Sequence, residues 1–230
     1  MSLVLYDLAA PGGRRFSPNC WRTTMALAHK RLEWESRPTL FTEIAGIAGG
    51  GQKTVPVLED DGTVVGDSWK IAEHLETRYA DRPSLFGGET GKRLAWFVQQ
   101  WAITELHAPI FRMIVTDIHD RLAPADQPYF RASREKRLGG RTLEAVQAER
   151  EAALPTFRAA LAPLRLALAS QAFLGGAAPT YADYVVLGPF QWARAMSPFR
   201  LLAEDDAVAA WLGRCLDLYN GLARRAPAFY

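Results

Sequence analysis

The sequence predicts a small α/β domain followed by an all-helical domain. In the first eighty residues, four strand signals alternate with helix signals in the order β-α-β-α-β-β-α. An Asp-Asp-Gly turn between two β-branched runs indicates a hairpin within this part. After a stretch rich in proline, glycine and charge at 81–91, only helical patterns follow. We therefore expect one domain over 1–80, a linker over 81–91 and an all-α domain over 92–230.

The first strand and the first helix are separated by a short polar motif. Residues 3–8 are apolar enough for a buried strand. Ser17 has the position of a helix N-cap, and Pro18 at the first helical position loses no hydrogen bond. The apolar face of this helix carries Trp21, Met25, Ala28 and Leu32. The sequence thus predicts a serine hydroxyl at the start of a buried helix.

The rest of the α/β domain follows from turn and capping signals. A second strand is expected over 33–38, and the glycine-rich segment 41–53 predicts a short helix or an irregular loop. A hairpin is expected over 55–65. Asp67 or Ser68 then caps another helix. The buried face of that helix is predicted to contain Ile71, Ala72, Leu75 and Tyr79.

The remainder of the chain predicts five helices. The first covers 94–120 with a kink at Pro109, and the second opens near Pro128 and breaks at the glycine pair 139–140. The third covers 154–170. A fourth begins at a Thr-Tyr-Ala-Asp capping box at 180–183, and Gly188-Pro189 is expected to bend it. The last has an apolar stripe of Val208, Trp211, Leu212, Cys215, Tyr219 and Leu222.

Composition excludes several classes of function. A formal net charge of +2 does not favour nucleic acid or an anionic membrane as an obligatory partner. No apolar run is long enough to span a bilayer, and the N-terminus lacks the basic start of a signal peptide. The two cysteines, Cys20 and Cys215, favour a reducing cytoplasm. The four histidines show no metal-ligand spacing, so we expect no metal site.

Four motifs in register resemble the cytosolic glutathione transferases. They are Ser-Pro-x-Cys-x-Arg at 17–22, Thr-Val-Pro-Val-Leu at 54–58, Asp-Ser at 67–68 and Pro-Thr-Tyr-Ala-Asp-Tyr at 179–184. Each motif is common by itself, but together they span nearly the whole chain in the order of that family. The resemblance implies a thioredoxin-like first domain and an all-helical second domain.

Longer segments resemble one branch of that family. They are similar to the bacterial lignin β-aryl-etherases and to their fungal relatives that bind wood extractives. The segments are SPNCWRTTMALAHK, DSWKIAEHL, RLGGRTLEAVQAERE and DLYNGLAR. The resemblance implies a transferase in which glutathione attacks an electrophilic carbon and displaces a phenolate, a halide or a similar group.

The resemblance further implies that Ser17 stabilises the glutathione thiolate. A free thiol has a pKa near 8.5, and lowering it by roughly two units requires about 2.7 kcal/mol. A hydroxyl that donates to an anion supplies about 1.5–3 kcal/mol, and a helix N-terminus adds roughly 0.3–1 kcal/mol. Asn19 is a second candidate donor. Two alternatives stay open: Ser17 acts only as an N-cap, or Cys20 performs thiol–disulfide exchange instead of being buried and inert.

The same resemblance implies how glutathione binds. A cis Val55-Pro56 peptide bond would turn the Val55 backbone toward the cysteinyl part of glutathione. Asp67 would pair with the γ-glutamyl ammonium, and Ser68 at a helix N-terminus would bind the γ-glutamyl carboxylate. Either Lys53 or Gln52 would bind the glycyl carboxylate. The complete expected set is Gln52, Lys53, Thr54, Val55, Pro56, Asp67 and Ser68.

The second substrate is expected to be a small hydrophobic aromatic electrophile bound by the helical domain. Candidate lining residues are Trp101, Phe111, Tyr129, Phe130, Phe190 and Trp192. Basic residues are clustered at Arg131, Arg134, Lys136, Arg137 and Arg141, either as a solvated helix face or as an attractor of phenolic or carboxylated substrates. A non-catalytic carrier of aromatic ligands is the alternative function. The family resemblance also implies a homodimer.

Overall fold

A computed structural model of the chain describes residues 2–230. The sheet of the first part contains β1 (Leu3–Ala10), β2 (Arg14–Arg15), β3 (Glu35–Thr39), β4 (Val57–Asp60) and β5 (Thr63–Gly66). β1 is central: it pairs in parallel with β3 and antiparallel with β4, and β5 completes the hairpin with β4. The two-residue β2 pairs with the last two residues of β1 and is the one strand the sequence did not predict.

Two helices cover this sheet, and their caps are those expected from the sequence. α1 (Pro18–His29) begins after Ser17, and α2 (Ser68–Arg78) begins after Asp67. The glycine-rich segment forms a 3₁₀ helix over Phe41–Gly49. The predicted face of α2 is buried at Ile71, Ala72, Leu75 and Tyr79. The predicted fold class, a thioredoxin-like β-α-β-α-β-β-α domain followed by helices, is confirmed.

The regular elements of the second part of the chain are helices, apart from an isolated bridge between Phe173 and Gly176. Its helices are α3 (Glu89–Ala102), α4 (Ala108–Arg121), α5 (Gln127–Arg137), α6 (Leu143–Gln147), α7 (Arg150–Ala160), α8 (Ala162–Leu168), α9 (Tyr181–Met196) and α10 (Ala207–Gly221). The first of them starts inside the segment that we predicted as a linker. The domain limits at 80 and 92 stay a prediction. None of the helices formed by residues 2–230 is long and apolar enough to cross a bilayer.

Proline accounts for two differences from the predicted helices. The long helix predicted over 94–120 is divided by a π-helical segment, Ile103–His107, just before Pro109. The helix predicted over 154–170 is divided at Leu161, and Pro163 lies in the first turn of the new helix, α8. A proline has no N–H to donate to the preceding turn, so the regular hydrogen bonding of the helix is interrupted near it.

The last helix is shorter than its apolar stripe. Val208, Trp211, Leu212 and Cys215 are buried on one face of α10, as the stripe predicted. Tyr219 is not part of this helical face, because Leu218 is extended and Tyr219 and Asn220 have positive φ angles of 55° and 59°. The chain therefore turns sharply before Leu222.

Contacts of α9 join the helical part to the α/β part. Tyr181, the first residue of α9, donates its hydroxyl to the Ser68 carbonyl at 2.8 Å and its backbone N–H to the Leu85 carbonyl at 2.8 Å. Further along α9, Gly188 lies against the Pro18 carbonyl, so close that a Cβ atom there would overlap that oxygen. The first turn of α1 is thus held directly against α9.

Gly188→Ala is expected to destabilise the fold by about 1–3 kcal/mol, the usual cost of overpacking a core. The added methyl group must move either α9 or the first turn of α1, and this outweighs the gain in helix propensity of roughly 1 kcal/mol. Urea unfolding measures the change.

Gly213→Ala in α10 is the matched control. A Cβ atom there has its nearest neighbour, the Arg224 side chain, at 3.9 Å. This variant is expected to be neutral or stabilised by up to about 1 kcal/mol. Equal stability changes in the two variants would contradict the proposed close contact.

Candidate functional site

Ser17 lies at the N-terminus of α1 with only 6% of its surface exposed. Its Oγ accepts the Cys20 backbone N–H at 3.2 Å, so it is an N-cap. This bond uses a lone pair of the hydroxyl and leaves the hydroxyl's own proton uncommitted. Capping the helix and donating to an anion are therefore compatible roles for this side chain.

Asn19 is exposed in the first turn of α1, and its amide has a defined orientation. Its Oδ1 accepts a hydrogen bond from Arg22 Nη2 at 2.7 Å. A guanidinium can only donate, so the amide oxygen must face Arg22. The amide NH2 is left as the free group of the side chain, and it can only donate. Arg22 therefore makes Asn19 a donor at the mouth of the site.

Arg22 connects α1 to the helical part. It is 3% exposed, and its Nη1 donates to Gln99 Oε1 at 2.6 Å. Its Nη2 also lies 3.3 Å from His107 Nε2. Burial, together with the nearby charge of Arg22, lowers the pKa of His107 to about 3, so this imidazole is neutral and accepts the hydrogen bond. Sequence analysis missed Gln99 and His107 because their partner is far away in the chain.

Cys20 is fully buried beneath Ser17, with Asp7 nearby. Burial, reinforced by the charge of Asp7, raises the pKa of the Cys20 thiol well above its usual range. A protonated, buried thiol is a poor nucleophile. The geometry therefore favours the inert interpretation of Cys20 over thiol–disulfide exchange.

The Val55-Pro56 peptide bond is cis, as the sequence analysis expected. Both residues are buried, whereas Lys53 and Thr54 on the preceding loop are exposed. The Pro56 carbonyl accepts the backbone N–H of Asp67 at 3.3 Å. This bond brings the start of α2 next to the cis peptide.

Asp67 and Ser68 lie together at the N-terminus of α2. Asp67 is exposed, and its Oδ1 accepts the backbone N–H groups of Trp69 and Lys70 at 2.9 and 3.1 Å. Ser68 is buried directly behind it. Gln52 is half-buried, with its Oε1 close to Gly66 just before this cap. The structure thus brings Gln52, Val55, Asp67 and Ser68 to one edge of the sheet.

A second junction holds the 3₁₀ helix Phe41–Gly49 against α5. The Asp126 carboxylate is fully buried and accepts the backbone N–H groups of Phe41 and Thr42, each at 2.9 Å. The Thr42 hydroxyl donates to the same carboxylate at 3.0 Å. Asp126 was not predicted from the sequence, because it lies at a helix start and looks like an ordinary cap.

The predicted aromatic residues fall into three groups. Phe111 and Trp192 are stacked with ring centroids 6.1 Å apart. Tyr129 and Phe130 both contact Phe41, each at 5.9 Å, and Phe41 in turn lies 6.2 Å from Phe16, the neighbour of Ser17.

The third group consists of the two remaining predicted aromatic residues, Phe190 and Trp101. Phe190 is buried between Phe157 and Trp211, so its assignment to the substrate surface is corrected: it packs in the core. Trp101 is half-buried near the end of α3.

The basic cluster also divides. Arg131 forms ion pairs with Glu135 and Glu144, and Arg141 forms one with Glu149. The other two arginines lie over aromatic rings. Arg134 is 5.3 Å from the Phe41 ring centroid and 4.8 Å from that of Phe130. Arg137 is 5.9 Å from the Phe111 ring, and Lys136 between them is exposed.

Asp7 makes the stability of the fold depend on pH. Burial raises its pKa from 3.8 to about 6, although Arg15 lies 3.1 Å away. The folded state therefore binds a proton more tightly than the unfolded state. The stabilisation that Asp7 gives the folded state is fully present below the unfolded pKa of 3.8, and it is lost as pH rises through about 6.

Asp7→Asn is expected to remove this dependence. As pH rises from the unfolded to the folded pKa, the free energy of unfolding of the wild type should fall by about 3 kcal/mol relative to that of the variant. Each unit of pKa difference corresponds to about 1.4 kcal/mol. Urea unfolding at several pH values measures the difference. The exposed Asp205→Asn variant controls for the change in net charge, and a pH-independent difference for Asp7→Asn would contradict the prediction.

Comparisons with solved structures support the fold. A glutathione S-transferase of Ceriporiopsis subvermispora, solved in complex with glutathione, superposes with a TM-score of 0.81 at 24% identity, over 96% of this chain and 97% of that chain. A glutathione transferase of Phanerochaete chrysosporium has a TM-score of 0.76 at 28% identity, over 96% of this chain and 92% of that chain.

Sequence comparisons identify the family to which the chain belongs. Maleylacetoacetate isomerase of Dictyostelium discoideum is 30% identical over 87 residues, which cover 33% of this chain and 37% of that protein. Residues 16–78 match the N-terminal domain of glutathione S-transferases, and residues 94–218 match the C-terminal domain. The second match alone spans more than half of the chain. The chain belongs to the glutathione S-transferase family.

Proposed function

We propose that this protein is a glutathione transferase in which Ser17 and Asn19 hold the glutathione thiolate. The supporting observation is the pair of donors at the start of α1. Ser17 caps the helix while keeping a proton to donate, and Arg22 fixes the Asn19 amide with its NH2 outward. The N-terminal turn of α1 adds the positive end of the helix dipole beside both groups.

The magnitudes are sufficient for activation without a general base. Each hydrogen bond to a charged sulfur contributes about 1.5–3 kcal/mol. Two such bonds exceed the roughly 2.7 kcal/mol that lowers a thiol pKa by two units. The thiol proton then leaves to solvent, and the thiolate is the attacking species.

In the proposed reaction the thiolate attacks an electrophilic carbon of an aromatic substrate. A carbon–sulfur bond forms, and the bond from that carbon to a phenolate or halide breaks. The leaving group departs with the electron pair. In the β-aryl-ether version, the carbon that is attacked lies next to a ketone. The similarity to the β-aryl-etherase branch supports this version, as does the stacked pair Phe111 and Trp192 as a surface for an arene.

Glutathione is proposed to lie along the edge of the sheet on residues 1–80. The Val55 backbone would pair with the cysteinyl part, and Asp67 would pair with the γ-glutamyl ammonium through the carboxylate oxygen that does not cap α2. The full set is that expected from the sequence: Gln52, Lys53, Thr54, Val55, Pro56, Asp67 and Ser68. The electrophile would lie on the helices of 92–230. A co-substrate that is abundant in the cytosol supports a cytoplasmic location.

A homodimer is part of the same proposal. α3 exposes a row of large apolar side chains, with Leu94 62% and Phe97 68% exposed. Trp96 and Ile103 are also exposed on α3 and the segment that follows it. Exposed large apolar side chains clustered on one helix are typical of an interface. A second copy of the chain would cover it.

Ser17→Ala is expected to raise the thiol pKa of bound glutathione by about 1–2 units, because the lost hydrogen bond is worth about 1.5–3 kcal/mol. Asn19→Ala should raise it by about one unit for the same reason. The ultraviolet absorbance of the bound thiolate across pH measures both shifts.

The control for these variants is Ser170→Ala, which removes an exposed hydroxyl far along the chain. Tight glutathione binding with an unshifted pKa in the wild type would contradict thiolate activation and favour the carrier. Thiol–disulfide exchange that disappears in Cys20→Ser would instead favour the reductase.

Phe97→Glu is expected to convert the dimer into a monomer, because a buried, unpaired carboxylate costs several kcal/mol at an interface. Light scattering after gel filtration measures the mass, which should fall from twice 25.5 kDa to 25.5 kDa. Leu166→Glu, at a position 76% exposed on α8, is the matched control and should leave the mass unchanged. A wild-type monomer, or a dimeric Phe97→Glu variant, would refute this interface.

A further inference from the structure

Two arginines of α5 differ from the other arginines around them. Arg131 and Arg141 are neutralised by glutamates, and Arg150 pairs with Asp117 at 3.1 Å. Neither Arg134 nor Arg137 forms an ion pair with any carboxylate of residues 2–230. Each lies instead over aromatic rings. Arg134 is half-buried, so its guanidinium is only partly solvated and binds an anion more strongly than a fully solvated cation does. Arg137 is exposed, with its guanidinium over the Phe111 ring.

These two arginines lie beside the thiolate site. Arg22 Nη2 contacts both Asn19 and His107. His107 is four residues from Phe111 along a continuous helical segment, so the two side chains share a face. Arg137 lies over the Phe111 ring. Burial, and after it the charges of Arg22 and Arg137, lower the pKa of His107. Arg137 therefore lies near the contact of Arg22 with His107, next to the proposed thiolate donor.

Within residues 2–230 no ion pair compensates these arginines, although the Asp67 carboxylate lies near enough to Arg22 to interact with its charge. His107 is neutral, and Arg22 has only neutral partners, Asn19, Gln99 and His107, in its hydrogen bonds. Its Nε is buried without an acceptor among the described residues. The indole Nε1 of Trp192, stacked on Phe111, is likewise buried and unpartnered within 2–230. The wall next to the thiolate thus combines donors, positive charge and aromatic rings.

We propose that Arg137 and Arg134 bind a carboxylate carried by the aromatic electrophile, whose ring lies on Phe111 and Trp192. This inference rests on the proposed transferase function and names the class of its second substrate. A guanidinium suits a carboxylate because its planar fork can donate two parallel hydrogen bonds. The carboxylates of glutathione are not candidates in the proposed pose, since Ser68 and the loop at 52–53 bind them.

The test uses two aryl chlorides, 4-chloro-3,5-dinitrobenzoate and its neutral amide. In both, the glutathione thiolate attacks the carbon that bears chlorine, the carbon–sulfur bond forms, and chloride leaves with the electron pair. The ratio of kcat/KM for the benzoate to that for the benzamide is compared between variants, so the intrinsic reactivities cancel. Arg137→Gln should lower this ratio roughly tenfold or more, the loss of one charge-assisted hydrogen bond.

Lys136→Gln is the matched control. It removes the same charge from the neighbouring position of α5, where the side chain is exposed. Its ratio should stay within about twofold of the wild type, because no aromatic ring of residues 2–230 holds Lys136 in place, whereas the equally exposed Arg137 lies over Phe111. Arg134→Gln should lower the ratio as Arg137→Gln does, and Arg134→Lys should restore part of it. An equal fall in Lys136→Gln and Arg137→Gln would overturn the inference in favour of general electrostatic attraction.

Two further outcomes separate this inference from the function on which it rests. If the amide is conjugated and the ratio does not change in Arg137→Gln or Arg134→Gln, the transferase stands and the carboxylate site is refuted. If neither chloride is conjugated, transferase activity toward aryl chlorides fails, and quenching of tryptophan fluorescence by each compound decides the site alone. Tighter binding of the benzoate that is lost in Arg137→Gln supports it; equal binding of benzoate and benzamide overturns it.

Discussion

The buried guanidinium of Arg22 is the interaction on which the site depends. At 3% exposure this charge is stabilised by the hydrogen bonds of Nη1 and Nη2, and removing one partner of such a buried charge costs about 3–5 kcal/mol. Its partners come from α1, α3 and the π-helical segment before α4. Arg22 is therefore a positioning residue: it orients Asn19 from beneath and ties α1 to the helices that would face the electrophile.

Local signals predicted the elements of the fold well. Ser17 and Asp67 were recognised as caps because capping chemistry is contained within three or four residues. The hairpin around Asp61 followed from its turn residues in the same way. The limits of the helices after residue 92 were predicted less well. A proline interrupts the hydrogen bonds of a helix, but tertiary packing decides whether the helix ends there or continues in another form, as before Pro109.

The site was predicted only where it is local. Ser17, Asn19 and the Val55-Pro56 pair are visible as motifs: Ser17 caps α1 and the Val55-Pro56 bond is cis, while their roles toward glutathione stay a prediction. Gln99, Asp126 and His107 were missed, since each acts through a partner about eighty residues away in sequence. A single sequence records the residue type but not the partner. The sequence also could not tell which arginines of the basic cluster form ion pairs and which lie over aromatic rings. That depends on the positions of Glu144 and Glu149 in the folded chain.

The contact between Gly188 and the Pro18 carbonyl bears on how such a protein can be recombined. The two halves match separate family domains, which invites their exchange between relatives as modules. Yet the backbone of the first turn of α1 touches the backbone of α9, with no side chain between them to absorb a mismatch. A transplanted helical half would need a glycine at this point and the same helix axis. The two halves are thus coupled at this contact, although the sequence divides into two family domains.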